Sequence, residues 1–271
     1  MASSRPSRSG TSRVFLEQAD LKPHRSRYWL NAKSKDTDPE GFARAAAEVC
    51  DTYRRAPEEH IRGNHVISTD EKTGIQALGR IAPTKPTMPG LVERVEYEYD
   101  RNGTLCLIPN FEVATGEIAG YTMGPTRTEL DFADHITKTV APDPNGSWTF
   151  VVDHLDIHLS ATLVERVARW CAIDDDLGVK GKQGILKNKA SREAFLAEPT
   201  HRVRFVYTPK HCSWLNQVEI WFSVLVRRLL KRGDFKSLTD LRERIEAFIA
   251  YFNETLAKPY RWTYTGRALA A

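Results

Sequence analysis

Three carboxylates stand out by where they fall in the sequence. The apolar run HVIST ends in Asp70 and the apolar run WTFVV ends in Asp153, so two strands each deliver an acid to a C-terminal edge, where α/β sheets commonly hold their sites. Taken singly, either residue is equally well a solvated strand-end aspartate, since turns are rich in Asp. Glu219 adds a third. It lies in a segment, about 214–231, whose Leu215, Val218, Phe222, Val226, Leu229 and Leu230 recur at helical spacing, and the roughly 100° step per residue sets Glu219 inside that apolar arc. A carboxylate there must be paired or must hold a cation, because burying it bare costs several kcal/mol. A salt bridge to Lys72 or Arg204 and a metal ion both meet that requirement. Three carboxylates converging from two strands and a helix suit a hard cation such as Mg²⁺ or Mn²⁺. Two such ions can activate a water or a 3′-hydroxyl and stabilise the leaving oxygen of a phosphoryl displacement.

The elements that must position these acids read as a mixed α/β plan. Asp38 as N-cap, Pro39 at the first helical position and Phe42, Ala46, Val49, Cys50 and Tyr53 at helical spacing predict an amphipathic helix over 39–55. Strands are expected at 65–70, 104–113 and 117–123, the last two joined as a hairpin through Ala114, Thr115 and Gly116. A helix over 127–140, a strand at 148–153, a helix over 160–171, a strand at 203–207 and helices over 214–231 and 238–253 complete a sheet covered on both faces. Residues 1–12 read as disordered and 12–20 as a short helix. Trp214 and Trp221, seven apart, share a helical side and read as packing residues, while Trp262 and Tyr264 dock the tail on the core or meet a second protomer.

Charge is distributed unevenly. The 271 residues carry a net charge of +4, and residues 1–30 alone hold six basic and two acidic side chains. Residues 180–232 hold twelve basic and three acidic ones, so the remainder is net −9. Basic blocks on an acidic body fit surfaces that meet a polyanion such as nucleic acid, although most individual lysines are simply solvated. At 41% hydrophobic the chain is globular. It has no apolar run of the roughly 20 residues that span a bilayer and no signal-peptide h-region, which implies a cytoplasmic protein with no membrane partner. Cys50, Cys106, Cys171 and Cys212 lack metal-ligand or disulfide spacing and read as reduced, buried thiols.

The strings STDEKTGIQAL (68–78), FVVDHLDIHLS (150–160) and TPKHCSWLNQVEIWFSVLVRRLLKRGDF (208–235) together resemble the DDE-type transposases of bacterial insertion sequences, specifically the "IS six-thirty" family of the mariner-like superfamily. LKPHRSRYWL, GPTRTELDF and YFNETLAKPYRWTYTGR fit the same pattern, so the resemblance covers residues 20–267. It implies a ribonuclease-H-like mixed sheet flanked by helices, with Asp70, Asp153 and Glu219 as catalytic residues and ligands of two Mg²⁺ or Mn²⁺ ions. The implied reaction is hydrolysis at transposon ends followed by attack of the freed 3′-hydroxyl on target DNA at a TA dinucleotide. The implied partners are double-stranded DNA and a second copy of the chain, as a homodimer on DNA in the bacterial nucleoid. Candidate DNA contacts are Arg13, Lys22, Arg25, Arg27, Lys180, Lys182, Lys210, Arg227, Arg228, Lys231 and Arg232.

Departures from the family pattern are specific. The second motif has His154 and Asp156 where relatives have Asn, while His158 keeps its usual place. Asp156 adds a negative charge close to Asp153 that either joins the metal site or perturbs it. Cys212 replaces a more usual Gly or Thr and reads as packing. The long spacing from Asp153 to Glu219 implies an insertion around 173–195, whose Asp174, Asp175 and Asp176 read as a loop or helix cap. Residues 1–30 read as the remnant of a helix-turn-helix region and its basic linker, 31–60 as a linking helix, 61–235 as the catalytic domain and 236–271 as a C-terminal helix and tail. The alternative to an active transposase domain is a truncated DNA-binding or interaction remnant. A hydrolase of RNA–DNA hybrids would share the triad but lack the long third motif.

Overall fold

Asp38 opens the first long helix as its sequence predicts: its side chain accepts a hydrogen bond from Gly41 N at 2.9 Å, with Pro39 in the first turn. The structure, a computed structural model, describes residues 33–265. The expectations for residues 1–12 and 12–20, and the candidate DNA contacts Arg13, Lys22, Arg25 and Arg27, lie outside the described residues. In chain order the elements are α1 (Lys33–Thr37), α2 (Pro39–Ile61), β1 (His65–Thr69), β2 (Lys72–Arg80), β3 (Tyr99–Glu112), β4 (Ile118–Gly124), α3 (Glu129–Val140), β5 (Trp148–Val152), α4 (Ala161–Trp170), α5 (Lys189–Leu196), β6 (Val203–Tyr207), α6 (Val218–Arg228) and α7 (Leu238–Thr255).

The strands form one mixed sheet of order β2-β3-β1-β5-β6, with β4 also paired to β3. β1, β5 and β6 are parallel, and β3 runs antiparallel to β1, β2 and β4. β1 and the first residue of β2 pair with β3 in one register, Thr69 opposite Asn110 and Lys72 opposite Leu107, before the register of β2 shifts by Ile75. That register sets Asp70 against Pro109, which has no N–H to offer a ladder. The ribbon therefore lapses at Asp70 and Glu71, between its two halves.

Alternation along the strands sends residues to two cores. Val66, Leu105, Leu107, Phe111, Val151 and Val206 face one side, where α2, α6 and α7 supply Val49, Tyr53, Trp221, Phe222, Ile245, Ile249 and Phe252. Ile67, Ile108, Phe150, Val152 and Phe205 face the other, against Phe132, Ile136, Leu163, Val164, Val167 and Leu196 of α3, α4 and α5. Helices cover both faces, as the patterning implies. The segment 236–265 is part of this body, because α7 completes the first core. The tail docks too: Trp262 meets the Tyr53 ring edge-on at 5.0 Å and donates to Cys50 Sγ at 3.3 Å. At the β3–β4 turn, Gly116 has φ +79° and lies so close to the Lys258 carbonyl that a Cβ would collide with it.

Three expectations need correction. The segment 214–231 is not one helix: α6 spans Val218–Arg228, flanked by 3-10 turns at Ser213–Leu215 and Leu230–Arg232. Trp214 and Trp221 therefore do not share a helical side; Trp221 is fully buried, whereas Trp214 is half exposed against Tyr264. The first long helix ends six residues later than its apolar pattern, passing through Pro57.

A polar joint fixes α6 to β1. Ser68 Oγ donates to Asn216 Oδ1 and accepts from Val218 N at 2.8 Å, while Asn216 Nδ2 donates to Thr69 O at 2.9 Å. Tyr53 OH reaches in from α2, donating to Leu215 O at 2.9 Å and accepting from Gln217 N at 3.3 Å. All of these groups are buried. Asn216→Ala strands buried partners and is expected to cost about 1–3 kcal/mol in urea unfolding. Asn216→Asp should cost more, because it sets a carboxylate beside Thr69 O and Asp70.

A second buried network gives a pH dependence. His135 Nε2 lies 2.9 Å from Asn110 Oδ1, Asn110 Nδ2 donates to Thr139 Oγ1 at 2.6 Å, and His135 Nδ1 lies 3.0 Å from Thr122 Oγ1. This ring is the neutral Nε2–H tautomer, donating to Asn110 and accepting from Thr122. Burial, helped by Lys138, pushes His135 down to about 3. A depressed folded value means that its contribution is complete above the unfolded value of about 6.5 and is lost as pH falls toward the folded one. Between pH 7 and 5 wild type should lose about 2 kcal/mol relative to His135→Gln, measured by urea midpoints.

Candidate active site

Asp70 and Asp153 each lie one residue beyond a strand. β1 and β5 pair in parallel with His65 opposite Trp148 and Ser68 opposite Val151, and carrying this register on by two residues sets Asp70 beside Asp153. Glu219 is in the first turn of α6, which the Ser68–Asn216 joint ties to the end of β1. Asn216 Nδ2 also lies 3.5 Å from Asp70 Oδ2. The three acids thus gather at the C-terminal edge of the parallel strands.

Their electrostatics show crowding. Burial, then the charges of Asp153 and Glu71, raise Asp70 to about 7. Burial also raises Glu219, with Lys72 opposing and Asp153 adding to the shift. Asp153 behaves differently: burial acts to raise it, but the hydrogen bond and charge of His158 prevail and hold it below the ordinary carboxylate value. His158 is 0% exposed, its Nδ1 2.9 Å from Asp153 Oδ1 and its Nε2 2.8 Å from Glu71 Oε1. Burial pushes His158 down, yet Asp153 and Glu71 outweigh it and lift it to about 10. The ring is a buried imidazolium between two carboxylates. Sequence reasoning passed over Glu71, although it adjoins Asp70, because nothing in STDEK marks the second acid as the one facing inward.

Glu219 is half-buried rather than sunk in an apolar arc, and its electrostatic partner is Lys72 rather than Arg204. Arg202 and Arg204 lie at the start of β6, at the opposite end of the parallel strands from Asp153. There Arg202 donates to Gly146 O at 2.7 Å and Arg204 Nε to Thr149 Oγ1 at 3.2 Å, beside a cavity of about 660 Å³. Another cavity, of about 820 Å³, lies by Trp170 and Phe195, and neither contains a triad residue. Lys182, Lys210, Arg227, Arg228, Lys231 and Arg232 are exposed, and Lys180 makes an exposed pair with Glu129 at 3.4 Å.

Both substitutions in the second motif have structural employment. The chain leaves β5 at Val152 and turns into a 3-10 helix at Asp156, which faces solvent and pairs with Lys189 of α5 at 2.5 Å. Asp156 is therefore committed to the inserted segment. His154 Nδ1 donates to Thr208 O at 2.9 Å and its Nε2 faces Glu193 Oε1 of α5 at 3.2 Å. The insertion is ordered, with Asn188 and Ser191 capping α5, and Asp176 accepts from Gly178 N at 2.9 Å as a loop residue. Cys212 is buried packing, as are Cys50 and Cys106, while Cys171 is half-buried; all four are free thiols.

As a donor set, three carboxylates fit a hard divalent cation. Among the described residues, no three His, Cys, Asp or Glu side chains stand close enough to chelate a metal ion as they are placed. The chemistry of the donors fits, and closing the chelate requires their side chains to draw together.

Solved structures share this architecture. They include the Mos1 mariner paired-end complex with Mn (TM-score 0.55, 11% identity, 89% of this chain and 63% of that one). The Mos1 transposase paired-end complex with left transposon end matches at TM-score 0.51 and 10% identity, over 92% of this chain and 74% of that one. The Mos1 strand transfer complex matches at TM-score 0.50 and 10% identity, over 92% and 73%. The likeness is one of fold, the ribonuclease-H-like mixed sheet flanked by helices, and the chain spans 63% of the length of the first of these. No curated protein sequence matches it. A family model described as DDE superfamily endonuclease matches residues 65–242, a span that holds all three carboxylates and two thirds of the chain, and to that family the chain belongs.

Proposed function

We propose that this chain is the catalytic domain of a transposase, cleaving DNA strands and transferring the freed ends with divalent cations held by Asp70, Asp153 and Glu219. The observation that carries the reading is the gathering of these carboxylates at one sheet edge, where Asp70 is raised to about 7 by burial and its acidic neighbours. Like charges are held together there at a cost that a bound cation relieves. Bound Mg²⁺ or Mn²⁺, two ions in this reading, would activate a water or 3′-hydroxyl and stabilise the leaving oxygen. The chain's own groups divide the remaining work. Asp153 is kept ionised by His158, Lys72 moderates the charge of Glu219, and the Ser68–Asn216 joint holds Glu219 over the strand ends. Relatives in fold are named as transposon-end and strand-transfer complexes, one of them with Mn, which supports DNA and divalent metal as the ligands.

Exposed Lys182, Lys210, Arg227, Arg228, Lys231 and Arg232 are the side chains we assign to the phosphate backbone, with Lys180 joining them on leaving Glu129. Such contacts position DNA without reading its sequence. A TA target and a homodimer on DNA belong to the same proposal. Among the described residues no helix is long and apolar enough to cross a membrane.

Asp70→Asn and Glu219→Gln are each expected to reduce Mn²⁺-dependent nicking of an end-containing duplex about a thousandfold or more, the scale of several kcal/mol of metal stabilisation. Metal-free melting should stay level or rise, since each change removes a repelling charge. Wild type that binds the duplex without divalent-dependent cleavage or strand transfer would instead be an interaction remnant. Cutting confined to RNA–DNA hybrids would mark a hybrid hydrolase. Replacing Arg227, Arg228, Lys231 and Arg232 together by Ala should weaken duplex binding and flatten its dependence on salt, with the log–log slope falling by up to about 4.

A further inference from the structure

Behind Asp153 lies a chain of polar groups that the triad chemistry does not itself require. Asp153 Oδ1 accepts from Leu155 N and faces His158 Nδ1, both at 2.9 Å, and His158 Nδ1 also lies 3.1 Å from the Asp153 carbonyl. Among the described residues this leaves Oδ2 as the oxygen free of protein hydrogen bonds. His158 is fixed in turn, with Phe132 packed on its ring at 4.3 Å between centroids and Tyr207 OH donating to its carbonyl at 3.0 Å. Its Nε2 meets Glu71 Oε1 at 2.8 Å, with both side chains 0% exposed. Glu71 Oε2 is buried without a partner among the described residues.

The unpartnered oxygen argues against a device for stability. Burying a carboxylate with one oxygen unsatisfied is unfavourable, and apolar replacements of buried ion pairs are often neutral or stabilising. An orienting role accounts for what is present: carboxylates and imidazoles behind a metal-ligating side chain fix its direction and tune its affinity. The chain Glu71–His158–Asp153 also ties the segment after β1 to the segment after β5, and so sets the spacing of the two strand-end aspartates. Glu71 N donates to Asp70 Oδ1 at 2.7 Å, which joins the other aspartate to the same assembly. We propose that Glu71 and His158 are positioning residues that hold Asp153 with Oδ2 presented to the metal, an assignment that rests on Asp153 being a ligand.

The test is Mn²⁺ binding to the full chain, followed by electron paramagnetic resonance, with melting in chelator and duplex binding measured alongside. Glu71→Gln, which keeps shape and volume, should weaken Mn²⁺ binding about tenfold or more with duplex affinity unchanged, while metal-free melting falls, because His158 loses one of its two buried carboxylates, yet stays above the temperature of the binding measurement. His158→Asn should do the same; should it fail to fold, Glu71→Gln decides alone. Adding Glu71→Gln to Asp153→Asn should cause no further loss of Mn²⁺ affinity. Wild-type affinity in Glu71→Gln, or a loss that persists in the Asp153→Asn background, would overturn the positioning role while leaving the triad intact. Wild type that binds no Mn²⁺ would overturn the metal-site reading and this assignment with it.

Discussion

Like-charge repulsion is the constraint around which this molecule is organised. Asp70, Glu71, Asp153 and Glu219 are gathered at one edge of the sheet, and two of them, Asp70 and Glu71, are buried. Left to themselves, such carboxylates would take up protons or move apart. The fold opposes both tendencies with two cations of different kinds. His158 is sealed between Asp153 and Glu71, and Lys72 acts on Glu219 from the first residue of β2, its ammonium 5.5 Å from the centre of the Phe222 ring. Neither cation reaches Asp70 strongly enough to offset its burial, so Asp70 is where the strain of the arrangement collects.

Holding that edge in place falls to groups distant in sequence. Tyr53 of α2 and Ser68 of β1 both end on residues 215–218, just ahead of Glu219. Their hydrogen bonds are buried, so each is directional and costly to lose. This accounts for a short α6: Leu215, Asn216 and Gln217 are occupied in polar contacts with α2 and β1, and the helix starts only after them. The same economy applies to the second motif, whose His154 and Asp156 engage Glu193 and Lys189 of α5, His154 adding its charge to what lowers Asp153.

Much of this was legible in the sequence, because alternation and helical spacing report burial directly. Five of the six strands among the described residues follow from apolar runs, and Asp70 and Asp153 could be placed at strand ends from those runs alone. β2 escaped notice since KTGIQALGR has few large apolar residues and a glycine at φ +69°. α5 was hidden in a polar insertion where Phe195 and Leu196 give too little periodicity to read. Lys72 was available as a partner for Glu219, and the choice between it and Arg204 needed the register of β6. Glu71 follows Ile67 and Thr69 on one face of the strand, and only the position of His158 on that side reveals the buried partner it meets there.

The first core also has a temporal meaning. It draws on residues from Ala46 in α2 to Phe252 in α7, so the wall supporting the catalytic edge is made from both ends of the folded body. On the ribosome α2 emerges long before α7, and residues that far apart in sequence cannot meet until α7 has been made. The edge that gathers the carboxylates therefore lacks one wall of its support until α7 has been made.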